Sequence, residues 1–148
     1  VDRYQREAAF MNDNCTSGIM KSWRGVAFEL VCWQHINQIK RALEIGGVRT
    51  SVSAWNLKGT ESSRGAQVDM VILRDDNIVN LCEMKFATAP YSIDKEEELK
   101  MIHRVETLSS TLPERKKVHL TLVTTYGLQH GKHTGKVQKI ILSDELFS

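Results

Sequence analysis

The stretch 64–86 constrains the fold of this chain most, because its pattern predicts two β-strands joined by a tight turn. Val68–Leu73 and Ile78–Phe86 are both rich in apolar and β-branched residues, and Asp75–Asn77 lies between them. Asp and Asn side chains hydrogen-bond their own backbone and tolerate left-handed conformations, which suits a tight turn. The sequence therefore predicts a β-hairpin at the centre of the domain.

Charged side chains lie at the ends of these strands that are far from the turn. Side chains alternate between the faces of a strand, so pairing around the turn permits Asp69 to lie near Glu83, with Lys85 beside it. Burying an unpaired charge is costly, so such groups form ion pairs, coordinate a metal or do chemistry. One interpretation is a structural ion pair between Lys85 and a carboxylate. The other is a site in which two hard oxygen ligands hold Mg²⁺ or Mn²⁺.

The spacing of these residues resembles a known signature. Asp69, thirteen intervening residues and Glu83-Met84-Lys85 resemble the PD-(D/E)xK nuclease superfamily, with Val68 in place of the usual proline. Gly25-Val-Ala-Phe-Glu29 resembles the Gly-x-x-Phe-Glu motif on the upstream helix of that superfamily. The resemblance implies a restriction-endonuclease-like fold: a three-layer α/β domain with a central mixed sheet flanked by helices.

The resemblance also implies a role for each matching residue. Asp69 and Glu83 would bind Mg²⁺ or Mn²⁺, with the Met84 carbonyl as a further ligand and Glu29 supporting the metal shell. Lys85 would position the attacking water, which makes Asp69, Glu83 and Lys85 the candidate catalytic residues. A bound metal lowers the pKa of its water and stabilises charge that develops on a phosphate.

A closer resemblance is to the C-terminal nuclease-like domain found on some prokaryotic AAA-type ATPases, and it spans about residues 19–147. It implies that 1–18 is a linker or the remnant of an upstream element. Residues 19–148 would then form a nuclease-like domain cut from the C-terminal end of a longer ATPase, whose upstream domain is its partner. The matching segments are 65–69, 81–86, 124–128 and 143–147.

Composition limits how this domain could bind DNA. The formal net charge is only +2, whereas nucleic-acid-binding domains usually have a stronger basic excess. Contacts to the phosphate backbone would therefore come from a local patch. Gln67 shares a strand and a side-chain direction with Asp69, Arg64 precedes the hairpin, and Lys132 and Lys136 lie in a glycine-rich basic loop.

Other sequence features limit the class of protein. A length of 148 residues fits one domain with a sizeable core. Cys15, Cys32 and Cys82 are widely spaced, which indicates reduced thiols and a cytoplasmic protein. No apolar run is long enough to span a membrane, and no signal peptide is evident.

The remaining periodicity predicts the other elements. The acidic run Glu96–Glu98 is interpreted as the solvated first turn of a helix capped by Asp94, with Leu99, Ile102, Val105 and Leu108 as its buried face. In chain order we expect a helix at 21–45 ended by Gly46-Gly47, a strand at 48–57, the hairpin, the capped helix, strands at 118–125 and 137–142, and a terminal turn begun by Ser143 and packed by Leu146 and Phe147.

Three functions compete on this evidence. The first is a metal-dependent nuclease that hydrolyses DNA phosphodiester bonds and is appended to an ATPase. The second is a non-catalytic docking or oligomerisation module of the same ATPase, which the modest net charge favours. Against it, an idle site has no physical need for carboxylates that repel one another. The third is a structural ion-pair network, which predicts that Lys85 contacts a carboxylate within hydrogen-bonding distance and that no metal binds.

Overall fold

A computed structural model describes residues 17–57 and 66–147 of the chain. No helix within these two ranges is long and apolar enough to cross a membrane. In chain order the elements are α1 (Ser17–Gln34), α2 (Ile36–Ala42), β1 (Thr50–Leu57), β2 (Ala66–Arg74), β3 (Ile78–Lys85), α3 (Lys95–Ser110), β4 (Lys117–Thr124), β5 (Lys139–Leu142) and α4 (Ser143–Leu146).

The hairpin predicted from the sequence is confirmed. Strands β2 and β3 pair antiparallel from Leu73 opposite Val79 to Met70 opposite Cys82. Asn77 in the turn has a φ of 66°, the left-handed conformation that asparagine tolerates better than most residues. The open end of the hairpin, away from this turn, holds the charged residues of the signature.

The five strands form one mixed sheet in the order β1-β2-β3-β4-β5, with β3 in the middle. The joins on the β1 side are antiparallel, and the joins of β3 to β4 and of β4 to β5 are parallel. Helices α1, α2 and α4 pack on one face through Phe28, Ile39 and Leu146, respectively. Helix α3 packs on the other face through Met101 and Leu108. This arrangement confirms the predicted three-layer α/β domain.

The central position of β3 in the sheet buries its polar residues. Residues 79–84 are all buried, since strands lie on both sides of β3 and helices cover both faces. Glu83 is only 4% exposed. A carboxylate at such a position must be paired, bound to a cation or protonated.

The single helix predicted at 21–45 is wrong, because the structure has two helices that meet at His35. The ring Nδ1 of His35 lies 2.7 Å from the carbonyl oxygen of Val31 in the preceding turn. Helix α2 also ends before the glycines that were expected to stop it. The left-handed residue is Glu44, with a φ of 60°, and its N–H donates to the carbonyl of Arg41 at 3.0 Å.

Helix α3 follows its predicted cap but not all of its predicted buried face. The Asp94 carboxylate accepts a hydrogen bond of 2.8 Å from the N–H of Glu97, which confirms the cap. Leu99, expected to be buried, is 55% exposed, whereas Met101 is buried. At 100° per residue, Leu99 lies about 200° around the helix from Met101, so one contact face cannot bury both.

The C-terminal turn is a short helix whose start and packing differ from the prediction. Ser143 is its first residue rather than its cap, and Leu142 precedes it. The Glu145 carboxylate accepts a hydrogen bond of 2.8 Å from the N–H of Leu142, which supplies the missing cap. Leu146 is fully buried as expected, but Phe147 is 69% exposed and meets the His35 ring edge to face, with centroids 4.9 Å apart.

Candidate active site

Strand β2 contains an extra residue next to Asp69. Ser53 of β1 pairs with Val71, and Trp55 pairs with Val68, so two steps along β1 match three steps along β2. Val68 and Val71 consequently pack into the same core, on the α3 face, although an odd spacing normally places residues on opposite faces. Such a β-bulge redirects side chains and is common beside functional sites.

Next to this bulge, Asp69 interacts electrostatically with charged groups from both layers of helices. Burial raises the pKa of Asp69, and Lys85 and Arg104 partly offset that rise. The pKa of Glu29, on helix α1, is also raised. Burial of the Glu29 side chain is the larger cause, and the nearby Asp69 carboxylate is the second. Asp69 also raises the pKa of Glu83. Asp69 therefore lies within electrostatic range of Glu29 on one side and of Glu83 on the other.

Glu83 is the most deeply buried carboxylate of this group. Arg104 Nη1 donates a hydrogen bond of 3.0 Å to Glu83 Oε1, and Lys85 Nζ lies 4.0 Å from Glu83 Oε2. Burial nevertheless raises the pKa of Glu83, and the nearby carboxylates of Asp69 and Glu97 raise it further. Two cations are thus insufficient to offset the burial of this carboxylate and its negative neighbours.

Four of these side chains form a closed loop of ion pairs, which we call the charge ring: Glu83, Lys85, Glu97 and Arg104. Besides their contacts with Glu83, Lys85 Nζ lies 3.2 Å and Arg104 Nη1 lies 3.8 Å from Glu97 Oε1. Lys85 therefore contacts a carboxylate within hydrogen-bonding distance, as the ion-pair hypothesis predicts. The carboxylate is Glu97, on α3, rather than Asp69 or Glu83.

The sequence interpretation missed Glu97 and Arg104. The acidic run was expected to be solvated, but the Glu97 side chain is only 19% exposed. A signal was available, because Glu97, Met101, Arg104 and Leu108 follow the i, i+4, i+7, i+11 spacing of one helix face. A glutamate and an arginine on the buried stripe of a helix indicate buried partners across the interface.

Aromatic contacts link the helix that carries Glu29 to the end of β3. Phe28 and Phe86 meet edge to face with ring centroids 6.2 Å apart. The Arg24 guanidinium lies 5.9 Å from the centroid of the Phe86 ring. Because Phe28 precedes Glu29 and Phe86 follows Lys85, this cluster packs together the two segments that carry these candidate site residues.

The acidic side chains in the described part of the chain are not arranged as a metal-binding group. Within residues 17–57 and 66–147, no three His, Cys, Asp or Glu side chains are grouped so that they could hold a metal ion. The donor chemistry nonetheless suits a hard cation, because Asp69 raises the pKa values of Glu29 and Glu83, and a divalent ion would relieve that repulsion. Met84 buries its side chain in the core, so only its carbonyl oxygen could serve as a ligand.

The predicted DNA contacts come from separate parts of the fold, and Lys136 lies beside Val118 at the start of β4 rather than at the open end of the hairpin. Gln67 is exposed on β2, two residues from Asp69. Lys132 and Lys136 are exposed in the loop between β4 and β5. Arg64 lies outside the residues that the structure describes.

The loop that carries these lysines is attached to the start of α3. His133 Nδ1 lies 3.0 Å from Glu98 Oε1, so Glu98, like Glu97, is paired rather than solvated. The backbone of Tyr91 bonds to Gly127 at 2.8 Å and to Gln129 at 2.9 Å. Burial, reinforced by Glu97, raises the pKa of Tyr91 to about 12. The His133 part of the basic loop therefore packs beside the first turn of α3, which also carries Glu97 of the charge ring.

Comparison with known proteins shows similarity of fold alone. No protein-family model matches the chain, and no curated protein matches it. The crystal structure of a protein of unknown function, AF1548, is similar with a TM-score of 0.50 and 19% sequence identity. The similarity covers 76% of this chain and 56% of AF1548, so the chain spans little more than half of that protein. At this identity the match supports the α/β architecture and says nothing about activity.

Proposed function

We propose that this chain is a metal-dependent nuclease domain that hydrolyses DNA phosphodiester bonds and is appended to an ATPase. One observation carries the proposal: a β-bulge holds Asp69 within electrostatic range of Glu29 from one helical layer and of Glu83 and Lys85 from the sheet. The resemblance of these same residues to the PD-(D/E)xK signature supports it.

The arrangement assigns a task to each side chain. Asp69 and Glu83 would hold Mg²⁺ or Mn²⁺, and Glu29 would orient the surrounding water. When bound, the ion lowers the pKa of its water and stabilises charge on the phosphate. Lys85 Nζ, held 3.2 Å from Glu97, would donate a hydrogen bond to the attacking water. Burial of the site strengthens each of these electrostatic interactions relative to water.

The charges at the site support a role for an added cation. Glu29, Asp69 and Glu83 all have raised pKa values, chiefly because of burial. Keeping three such carboxylates ionised at neutral pH is unfavourable unless positive charge compensates them. A divalent ion would provide that charge at the position where a phosphate must be neutralised.

A second candidate function is a non-catalytic docking or oligomerisation module. The charge ring favours it, since Arg104 and Lys85 already form ion pairs with Glu83 and Glu97. In that case the cluster serves only as a buried ion-pair network. Such networks are common and can be retained without any chemistry.

Calorimetric titration with Mn²⁺ and Mg²⁺ tests the proposal directly. Wild type should bind the ion, and Asp69→Asn and Glu83→Gln should each abolish binding while remaining folded by circular dichroism. Glu96→Gln is the matched control, because Glu96 lies on α3 with a side chain 80% exposed and pairs with Lys100 at 3.4 Å.

The titrations should be repeated with a phosphorothioate oligonucleotide, in case substrate phosphate completes the metal site. Single-stranded, duplex and branched DNA should then be screened for cleavage. Absence of metal binding in wild type both with and without the oligonucleotide would refute the nuclease proposal and leave the docking module.

A further inference from the structure

Arg104 is hydrogen-bonded to the Glu83 carboxylate, which the proposed metal also needs as a ligand. Its Nη1 lies 3.0 Å from Glu83 Oε1, and the Glu83 side chain is only 5% exposed. A divalent ion bound to the same oxygen must displace this hydrogen bond or share it. Arg104 would therefore compete with a bound metal for Glu83.

Arg104 has the chemistry and the access to exchange partners. A guanidinium presents several N–H donors in a planar fork that fits carboxylate and phosphate oxygens equally well. Its side chain is 22% exposed, whereas that of Glu83 is buried, so Arg104 can turn toward a ligand and Glu83 cannot follow. Its other carboxylate contact, to Glu97, is longer at 3.8 Å and restrains it less.

Lys85 is held differently. Its Nζ lies 3.2 Å from Glu97 and 4.0 Å from Glu83, so Glu97 is its main partner. If Glu83 changes its partner, Lys85 keeps its own. Of the two cations in the charge ring, Arg104 is the one that depends on Glu83.

We propose that Arg104 is an exchangeable cation that neutralises Glu83 in the metal-free domain and moves to a phosphate of the substrate when metal occupies Glu83. This inference rests on the proposed nuclease function and adds a regulatory property to it. Substrate phosphate draws Arg104 away from Glu83 and so favours metal binding. By linkage, metal binding must favour substrate to the same extent.

The test compares Arg104→Gln with Lys100→Gln, a matched control on the same helix. Lys100 is half exposed and pairs with Glu96 at 3.4 Å, outside the charge ring. Mn²⁺ affinity is measured by calorimetry with and without a phosphorothioate oligonucleotide. In wild type and in Lys100→Gln, we expect the oligonucleotide to tighten Mn²⁺ binding by about 10-fold, within the usual range of coupling between sites.

Arg104→Gln should bind Mn²⁺ more tightly than wild type in the absence of oligonucleotide. It should also lose most of the oligonucleotide's effect on Mn²⁺ affinity. Unchanged Mn²⁺ affinity, or coupling as large as in wild type, would overturn the inference while leaving the nuclease proposal intact. Lack of Mn²⁺ binding by every variant under both conditions would overturn the nuclease proposal, and this inference with it.

Arg104→Lys provides a second variant in case Arg104→Gln does not fold. Lysine keeps the positive charge beside Glu83 but lacks the planar fork of donors. We expect Mn²⁺ affinity above that of wild type and a reduced effect of the oligonucleotide. Values identical to wild type for both would overturn the inference.

Discussion

Both ends of the β2–β3 hairpin carry acidic and basic residues, but the pKa values of their carboxylates are shifted in opposite directions. At the turn, Arg74 holds the Asp76 carboxylate through two hydrogen bonds of 3.0 and 2.5 Å. These bonds are the main reason why the pKa of Asp76 is lowered. At the open end, burial raises the pKa values of Asp69 and Glu83 even though Arg104 is close to both.

The difference lies in how completely each end matches its charges and hydrogen bonds. At the turn, Arg74 also donates to Asn80 at 3.1 Å, and Asn80 donates to Thr121 at 3.0 Å, so the network is complete without a ligand. At the open end, the carboxylates outnumber the cations, and the pKa values of three of them are raised. These charged groups are the carboxylates of Glu29, Asp69, Glu83 and Glu97 and the cations of Lys85 and Arg104. An incomplete network of this kind is what a cation-binding site requires.

The largest effect expected is on catalysis, from Lys85→Gln. Removing a donor aimed at the reacting group typically lowers turnover by about 100-fold or more. We expect such a loss of DNA cleavage with Mn²⁺ affinity retained, since Lys85 is not a metal ligand. Cleavage rates and calorimetry check this.

Lys116→Gln at the turn end is the matched control for Lys85→Gln. Lys116 Nζ lies 3.4 Å from the carbonyl oxygen of Arg74, so its removal perturbs the complete network and not the open end. Its cleavage rate should equal that of wild type. Equal losses in the two variants would mean that the two ends do not differ in function.

The next largest effect is on stability, from Asn80→Ala. Asn80 is 2% exposed, and its removal leaves the Thr121 hydroxyl without its donor. A buried polar group without a partner costs about 1–3 kcal/mol, so the free energy of unfolding should fall by that amount. Urea denaturation measures it. Metal affinity should not change, and a loss of Mn²⁺ binding would show that the two ends are coupled.

Asp69→Asn should instead stabilise the domain at neutral pH. The folded-state pKa of Asp69 is raised above 3.8, so the ionised group destabilises the fold as pH rises through that folded pKa. Replacing it should add about 1 kcal/mol at pH 7, the low end of the cost of burying a polar group without compensation. Below pH 3.8 the gain should vanish, because Asp69 is then protonated in both states. Destabilisation at pH 7 would support the structural ion-pair hypothesis.

The smallest effect, of opposite sign, is expected from Asp76→Asn. The folded-state pKa of Asp76 is lowered below 3.8, so its stabilisation is present above that pH and disappears as pH falls through the folded value. The Asp76 side chain is 37% exposed, and surface ion pairs contribute about 0.5 kcal/mol. Thermal melts across pH should show a small loss at pH 7 and none in strong acid. A gain at pH 7 would remove the contrast between the ends.

Much of the fold followed from signals carried by neighbouring residues. The Asp75–Asn77 turn, the pairing of the strands around it and the Asp94 cap were predicted correctly, whereas the regular alternation expected for β2 is broken by the bulge next to Asp69. Each depends on interactions within a few residues, which the order of the amino acids specifies directly. For the same reason, the separation of Asp69 from Glu83 along the chain predicted their proximity once the hairpin was assumed.

Packing between distant segments determines which charged side chains meet at the site. The bulge beside Asp69 arises from the pairing of β2 with β1, and the Arg104 contact with Glu83 depends on how α3 crosses the sheet. Likewise, Glu97 was expected in solvent but became the main partner of Lys85. These contacts join segments distant in sequence, and their energies depend on burial, which no local pattern encodes. The sequence by itself determined the hairpin and the candidate residues at its open end, whereas packing determined how their charges are balanced.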